Sequence, residues 1–528
     1  MSSISITSSL SVTAIAIVIS AVVAIKWIRV AQREHYKAGY VVKFAQRWYF
    51  FRDSGVNVTF TIVMVLAVVT ALSRANVTSS VLPSFVIVAI LALITPIGLG
   101  FKGRTSKLAW TRRVRLLYSV TVAIDVVIGA ISYFMGLSGA VGTVLIAGAP
   151  AAVELALWIT APLEDRAIAP FVESARKKLD SVNPKRVAIT GSYGKTSTKF
   201  YLNHICSFAM PTLASPASYN NRAGLARAIN ENLLPGTKLF IAEMGTYEAG
   251  EIAALTEWIR PDVAAITAIG PVHLERFGSE EKILEAKNEI TKTASCVVLN
   301  TDDSRLELLA NELERESKKV WRVSGSDFSR TVAVLNDDDD NSVLYVNQRR
   351  IGATKTPIAN SNLAVAVAIA LELGVEESVI ASAIETLSPP PFRLNVIKNA
   401  NDVVVIDDTY NSNPRGAKFA LDVAVKKCQT GSRLVVVTPG MVELGQRQFE
   451  ENRLLGKAIG EVATDIVIVG LTNQRALRRG ALGAALPNSS RIRVLDFRTR
   501  EKATEWVNSK LVAGDVVLYE NDLPDHFI

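Results

Sequence analysis

The first third of the chain limits its possible folds more than any other part. Apolar runs occur near residues 5–25, 56–73, 82–101, 114–136 and 138–162, each close to the ~20 residues that a helix needs to cross a bilayer core. In hydrocarbon every backbone N–H and C=O must find a partner within the protein, so runs of this length predict helices. About five membrane helices are expected in residues 1–162, the last pair joined by a tight hairpin around Gly136 to Gly139. A cleaved leader would need a basic start and a small-residue cleavage site. The opening "MSSISITSS" carries no basic residue and "IKWIRVAQR" follows the first run directly, so an uncleaved span is predicted.

Charge between the runs sets the orientation. Residues 26–55 hold Lys26, Arg29, Arg33, Lys37, Lys43, Arg47 and Arg52, the next loop holds only Arg74, and residues 102–113 hold Lys102, Arg104, Lys107, Arg112 and Arg113, while the turn near 137 has none. Because positive loops stay on the cytoplasmic side, the N-terminus is predicted outside and everything after residue 163 inside, on a multi-pass protein of the plasma or inner membrane. The net charge of +8 is thus explained without a nucleic-acid partner. Three scattered cysteines, Cys206, Cys296 and Cys428, support neither a disulfide framework nor a zinc site.

Beyond an amphipathic connector, 163–184, the character changes. Short β-branched runs alternate with helical patterns, the mark of a parallel sheet covered by helices. "RVAIT" (186–190), "LFIAE" (239–243), "VAAITAI" (263–269) and "CVVLN" (296–300) predict one α/β domain over 185–390. After the prolines of "LSPPPFRLN" (387–395), "VVVIDD" (403–408), "RLVVVT" (433–438), "DIVIVG" (465–470), "RIRVLD" (491–496) and "DVVLYE" (515–520) predict a second, over 391–528. Asp337 to Asp340 is expected to be a solvated hairpin tip, since the spacing and glycine of a calcium loop are missing.

Thr190-Gly191-Ser192-Tyr193-Gly194-Lys195-Thr196-Ser197 follows a strand and opens a helical pattern. There backbone N–H groups and a helix N-terminus can hold phosphate, with Lys195 on the β and γ oxygens and the Thr196 hydroxyl on magnesium. Ile189 stands where the general phosphate-loop pattern has its first glycine, and an ordinary strand-to-helix turn is the competing reading. Glu243 ends a strand candidate and should emerge at the carboxyl edge of the sheet beside this loop, where open α/β sheets place ligands. His273, in "GPVHLERFGS", lies just past another strand end. Lys287, in the helical pattern 279–294, would on pattern alone be a solvated lysine.

Taken in order, "TGSYGKTST", "YNNRAGLARAI", "FIAEMG", "GPVHLERFGSEEKILEAKNEI", "VVLNTDD", "RLNVIKNANDVVVIDDTYNSNP" and "GMVELG" resemble the Mur ligases, most closely their D-alanyl-D-alanine-adding branch, over about 185–528. The family's loop has the short TGxxGK[TS] form, which accounts for Ile189. After the helical membrane bundle expected from the apolar runs, the resemblance implies a central P-loop ATPase domain and a C-terminal Rossmann-like α/β domain. It implies an ATP-dependent, ADP-forming amide ligase that activates a carboxylate as an acyl phosphate. Lys195 and the loop Gly191 to Ser197 would hold ATP, Thr196 and Glu243 one Mg²⁺, and His273 a second. Lys287 matches a lysine carbamylated by CO2, whose new carboxylate would serve the metal region. Asn300, Asn362, Arg393, Asp408 and Asn411 resemble nucleotide-binding positions, and Asn220 and Asn221 a substrate-side loop. The implied partners are a muramyl peptide or similar carboxylate acceptor, nucleotide- or lipid-linked, an amine such as D-Ala-D-Ala, the bilayer and a membrane-protein partner.

Departures from the family are visible. Phe392 replaces a glycine before the linker arginine, and "ENDLPD" is acidic where D-alanyl-D-alanine-adding ligases carry a Lys-Gly-Ser-type segment. Membrane runs stand in place of the domain that grips the UDP-sugar. A folylpolyglutamate-type or polyglutamate-type ligase, a transport ATPase and a non-catalytic ATP-binding regulator are the competing readings. The "DDTYNSNP" and "GMVELG" blocks disfavour the first, the missing signature after the phosphate loop disfavours the second, and the filled metal and lysine positions disfavour the third.

Overall fold

A proline and a glycine cut the apolar third into shorter pieces than hydropathy suggests. The structure, a computed structural model, describes all residues except 1–2, 51–54, 75–77, 102–106, 218, 391–393, 410–411, 485–491, 524–526 and 528. The chain divides into two units, Met1–Ile168 with Leu523–Ile528, and Ala169–Asp522.

Among the described residues of the first unit, three helices are long and apolar enough to cross a membrane, Ser9–Arg33, Val56–Ser73 and Arg112–Phe134. A fourth arises only if Ser138–Ala147 and Ala149–Val182, bent by 73° at their break, count as one span. Among the described residues, five unbroken helices of that length are not found. In the run at 82–101 the helix Thr78–Ile94 has 17 residues, at the short end of what can cross a bilayer, and ends just before Pro96, which has no N–H with which to continue a helix. Lys26, expected in a loop, lies inside the first helix and is buried. Its ammonium donates to the carbonyls of Leu93 (2.5 Å) and Thr95 (3.0 Å), acceptors that a helix end leaves without intrahelical partners. The run at 138–162 is interrupted at Gly148, and residues 163–182 continue the last helix without a break.

The two basic segments lie at one end of this unit. The Gln32 amide exchanges hydrogen bonds with the backbone of Ala109 (2.9 and 3.0 Å), and the Arg113 guanidinium stacks over the Tyr36 ring at 4.0 Å. Within the first of them runs an amphipathic helix, Tyr40–Phe50, which buries Val41, Phe44, Ala45, Trp48 and Tyr49.

Among its described residues the second unit holds fifteen strands: β1 Lys185–Thr190, β2 Thr212–Ala214, β3 Leu239–Glu243, β4 Val263–Ile266, β5 Cys296–Asn300, β6 Lys319–Ser324, β7 Val332–Asn336, β8 Ser342–Val346, β9 Arg349–Thr354, β10 Asn395–Lys398, β11 Val404–Asp408, β12 Leu434–Thr438, β13 Asp465–Val469, β14 Arg493–Phe497 and β15 Val516–Glu520. Nine form one sheet in the order β2-β3-β1-β4-β5-β6-β7-β8-β9, and six form a second in the order β10-β11-β15-β12-β13-β14. The first is parallel as far as β7 and then antiparallel, with Asp337 to Asp340 at the tip of the β7–β8 hairpin. The second is parallel except for its edge strand β10. Strands β3, β4, β5 and β12 are buried along their whole length, as expected when helices cover both faces of a parallel sheet. Helix Asn360–Glu372, buried from Leu363 to Ala370, packs beside Lys195–Ser207 in the first core and so carries Asn362 to the phosphate loop.

Candidate active site

Neighbouring strand ends bring the first site residues together. Ile189 of β1 is in register with Glu243 of β3, so it belongs to the strand and the glycine loop begins only at Gly191. That loop needs its glycines twice over. Gly191 and Gly194 have φ of +152° and +80°, and a Cβ would lie 2.0 Å from Thr267 Oγ1 at the first and 2.1 Å from Asn362 Oδ1 at the second. Clamps on the end of β4 hold it in place: the Ser192 N–H donates to the Ala268 carbonyl at 2.8 Å, and the Thr267 hydroxyl to the Tyr193 carbonyl. Helix Lys195–Ser207 starts directly after the loop, and the Lys195 ammonium folds back onto the Gly191 carbonyl at 2.6 Å. For Gly194→Ala we expect a lower melting temperature, from a backbone strain of about 1–3 kcal/mol, together with weakened ATP binding. Thermal unfolding with and without nucleotide measures both.

Glu243 is the hub. Its carboxylate, almost fully buried, accepts from the Thr196 hydroxyl (3.0 Å) and the Asn220 amide (3.3 Å) and pairs with the Lys199 ammonium (2.9 Å). Lys199 also donates to the Ala217 carbonyl at 2.6 Å, so one buried lysine joins the phosphate helix, the carboxylate and the loop that carries Asn220. Sequence reading passed over Lys199. Its i,i+3 spacing from Thr196 puts both on one helix face and was the available signal. Asn221 faces elsewhere, capping helix Arg222–Asn232 through the Gly224 N–H at 2.9 Å.

His273 precedes a short helix, Leu274–Phe277, in a left-handed conformation (φ +59°). Its ring stands edge-to-face against Tyr247 at 4.8 Å, and Nδ1 bonds the Glu443 carboxylate, which the second sheet contributes. Burial pushes the imidazole below its ordinary pKa, with Glu443 opposing. Lys287, in helix Glu280–Asn288, is 3% exposed and so does not lie on a solvated face. Burial, and after it the positive charge of Lys195, hold its pKa well below the usual lysine range.

A cavity of about 350 Å³ opens beside the loop, lined by Tyr193, Gly194, Ser197, Asp302 and Asn362 from the first sheet's side and by Asp408, Asn413 and Arg415 from the second's. Asn300 is not among its walls. It is fully buried, and its amide donates to the Thr267 carbonyl at 2.9 Å, bracing the end of β4. Asp408 accepts from the Leu394 N–H at 3.3 Å. Arg393, Asn411 and Phe392 lie outside the described residues. Of the cavity residues just named, Asp302, Asn413 and Arg415 were missed by sequence reading, and they sit inside the quoted blocks "VVLNTDD" and "DDTYNSNP" or directly after them. Of the acidic tail, Asp522 pairs with Arg500 at 2.7 Å.

Residues 189–370 match the Mur ligase middle domain and residues 392–519 the Mur ligase glutamate ligase domain. The chain is 30% identical over 364 residues to the UDP-N-acetylmuramoyl-tripeptide--D-alanyl-D-alanine ligase of Mycobacterium bovis, spanning 63% of this chain and 69% of that one. The chain belongs to the Mur ligase family. It is an ATP-dependent, ADP-forming peptide ligase. The similarly named ligase of Bacillus subtilis is 25% identical over 376 residues, with 68% of this Mur ligase and 77% of that protein covered. The solved MurF of Acinetobacter baumannii aligns with a TM-score of 0.56 at 25% identity, covering 66% of this chain and 76% of that one. MurF of Thermotoga maritima, solved in complex with ADP, shares the fold at 24% identity and a TM-score of 0.56, covering 67% and 80%.

Proposed function

We propose that this Mur ligase is anchored in the membrane and joins an amine to the carboxylate of a peptidoglycan or related envelope precursor, through an acyl phosphate. The observation that carries the reading is the convergence of the phosphate loop with Glu243, beside a buried Lys287 whose charge acts on the His273 imidazole. In this reading Lys195 and the loop Gly191 to Ser197 hold the ATP phosphates, Asn362 and Asp408 border the rest of the nucleotide, Arg393 and Asn411 keep their expected nucleotide roles, and Asn300 serves the nucleotide only through the end of β4 that it braces. Asn220 and Asn221 lie on the acceptor side. A carboxylate oxygen attacks the γ-phosphorus as the bond to ADP breaks. The amine then attacks the acyl carbon and phosphate leaves. Residues so placed act mainly by positioning and by stabilising charge on the transferring group.

Among the described residues no group of three or more His, Cys, Asp or Glu side chains could by itself hold a metal. Mg²⁺ does not need one, since it usually takes one or two protein oxygens with phosphates and water. The Thr196 hydroxyl and the Glu243 carboxylate fit that need, and His273 with a carbamylated Lys287 would serve a second ion. Bound magnesium would neutralise phosphate charge. Lys287 suits carbamylation because its amine, buried and facing no carboxylate among the described residues, is held toward the neutral form that reacts with CO2.

We further propose 1–162 as the membrane module, 163–184 as connector, 185–390 as the ATP-binding domain and 391–528 as the C-terminal domain, with the N-terminus outside and catalysis in the cytoplasm. The candidate spans and the shared end of the two basic segments support this. In intact cells an N-terminal epitope tag should be cut by external protease and a C-terminal tag protected; the reverse pattern contradicts the orientation. For the chemistry, detergent-purified protein with ATP, Mg²⁺, D-Ala-D-Ala and a muramyl tripeptide in nucleotide- or lipid-linked form should release phosphate with at least one acceptor. No acceptor-dependent phosphate across a panel of acceptors and amines would count against the reading.

A further inference from the structure

The contact between His273 and Glu443 joins the two α/β sheets at the metal side of the proposed site, and the chain invests in it from both directions. Glu443 sits in the loop after β12, in a left-handed conformation (φ +64°) that a non-glycine residue keeps only where its surroundings enforce it. Three asparagines hold the backbone just before it. Asn452, fully buried, accepts from the Met441 N–H (2.8 Å) and donates to the Met441 carbonyl (2.9 Å), Asn473 donates to the Pro439 carbonyl (3.0 Å), and Asn521 donates to the Gly440 carbonyl (2.6 Å). Gly440 cannot be replaced without strain, since its φ is +76° and a Cβ would lie 2.3 Å from Asn452 Oδ1. On the opposite side, Arg276 stands 3.5 Å from the Glu443 carboxylate and stacks over Tyr247, which packs against His273.

We propose that Glu443 is a positioning residue for His273. Its carboxylate accepts a hydrogen bond from Nδ1–H, fixes the tautomer and leaves Nε2 as the nitrogen available to a divalent cation. This rests on the proposed reading of His273 as a metal ligand. Metal-bound histidines usually give their second N–H to a carboxylate or carbonyl, and losing that partner costs about 10–100-fold in affinity or activity. Here the partner comes from the other sheet, so the imidazole is set for metal only when the two α/β domains are together.

The test uses the full chain in detergent with a non-hydrolysable ATP analogue and Mn²⁺ as the probe, read by titration and by the pulsed-EPR coupling of Mn²⁺ to imidazole nitrogen. Wild type should show nitrogen coupling that His273→Ala removes. Glu443→Ala, and the near-isosteric Glu443→Gln in case the alanine variant fails to fold, should weaken Mn²⁺ binding about 10–100-fold and diminish the coupling. Glu443→Ala should add nothing further in the His273→Ala background. Arg447→Ala, which removes another contact between the sheets, the pair with Glu280, should leave the coupling in place. Wild-type protein without nitrogen coupling would overturn the reading of His273 as a ligand. Coupling present in wild type and unchanged, at unchanged affinity, in both Glu443 variants would overturn the positioning role alone.

Discussion

Lys287→Ala should lower ligation by about 10²–10³-fold, the scale of losing one preorganised charge stabiliser, and short carboxylates such as formate or acetate should restore part of it. The expectation follows from the lysine's surroundings. Lys287 is 3% exposed, and burial, with the positive charge of Lys195 after it, holds its pKa well below the usual lysine range. An ammonium buried there is disfavoured, whereas a neutral amine forms an N–C bond to CO2, releases a proton and becomes an anion facing Lys195. Removing the side chain leaves a space that a small carboxylate can enter. The measurement is kcat with and without added formate, with thermal unfolding as the check on folding. Full activity in Lys287→Ala would sink the carbamate role, and loss without rescue would leave the lysine a structural one.

Lys195→Ala should cost at least as much, about 10²–10³-fold in kcat/KM, and Lys195→Arg should not restore it. The Lys195 ammonium already reaches back over the loop to the Gly191 carbonyl at 2.6 Å, so it stands where phosphate oxygens would gather around the loop's N–H groups. A planar guanidinium is not interchangeable with this compact charge. The residue is only half-buried and opens its helix, so stability should move by no more than about 0.5 kcal/mol. ATP titration by calorimetry together with steady-state rates would check this. An alanine variant that binds ATP normally and turns over would show that the loop is an ordinary strand-to-helix turn.

How far the residues alone could lead differed between the two units. In the α/β part the strands were readable because parallel strands covered on both faces appear as continuous β-branched runs, and the ends of β1 and β3 placed Thr190 and Glu243 at one edge. The apolar third was harder, because hydropathy does not register that Pro96 ends one helix and a break at Gly148 bends another. Lys199 was within reach of a helical-spacing argument. Glu443 was not, since it meets His273 across 170 positions of sequence and only the packing of one sheet against the other brings them together. Asn300 shows the converse. Its place at the end of β5 was foreseen, but its amide satisfies the buried Thr267 carbonyl and does not line the cavity.

When ATP activates a substrate carboxylate as an acyl phosphate, one carboxylate oxygen leaves with phosphate as the amide bond forms. The direct measurement supplies a muramyl tripeptide acceptor carrying ¹⁸O in its terminal carboxylate, with ATP, Mg²⁺ and D-Ala-D-Ala, and follows phosphate and product by mass spectrometry. The expected result is ¹⁸O in the released phosphate, one ADP per bond, and a product equal to acceptor plus amine less water. Unlabelled phosphate with the acceptor returned unchanged would mean that water attacks ATP instead, and would contradict activation of the carboxylate.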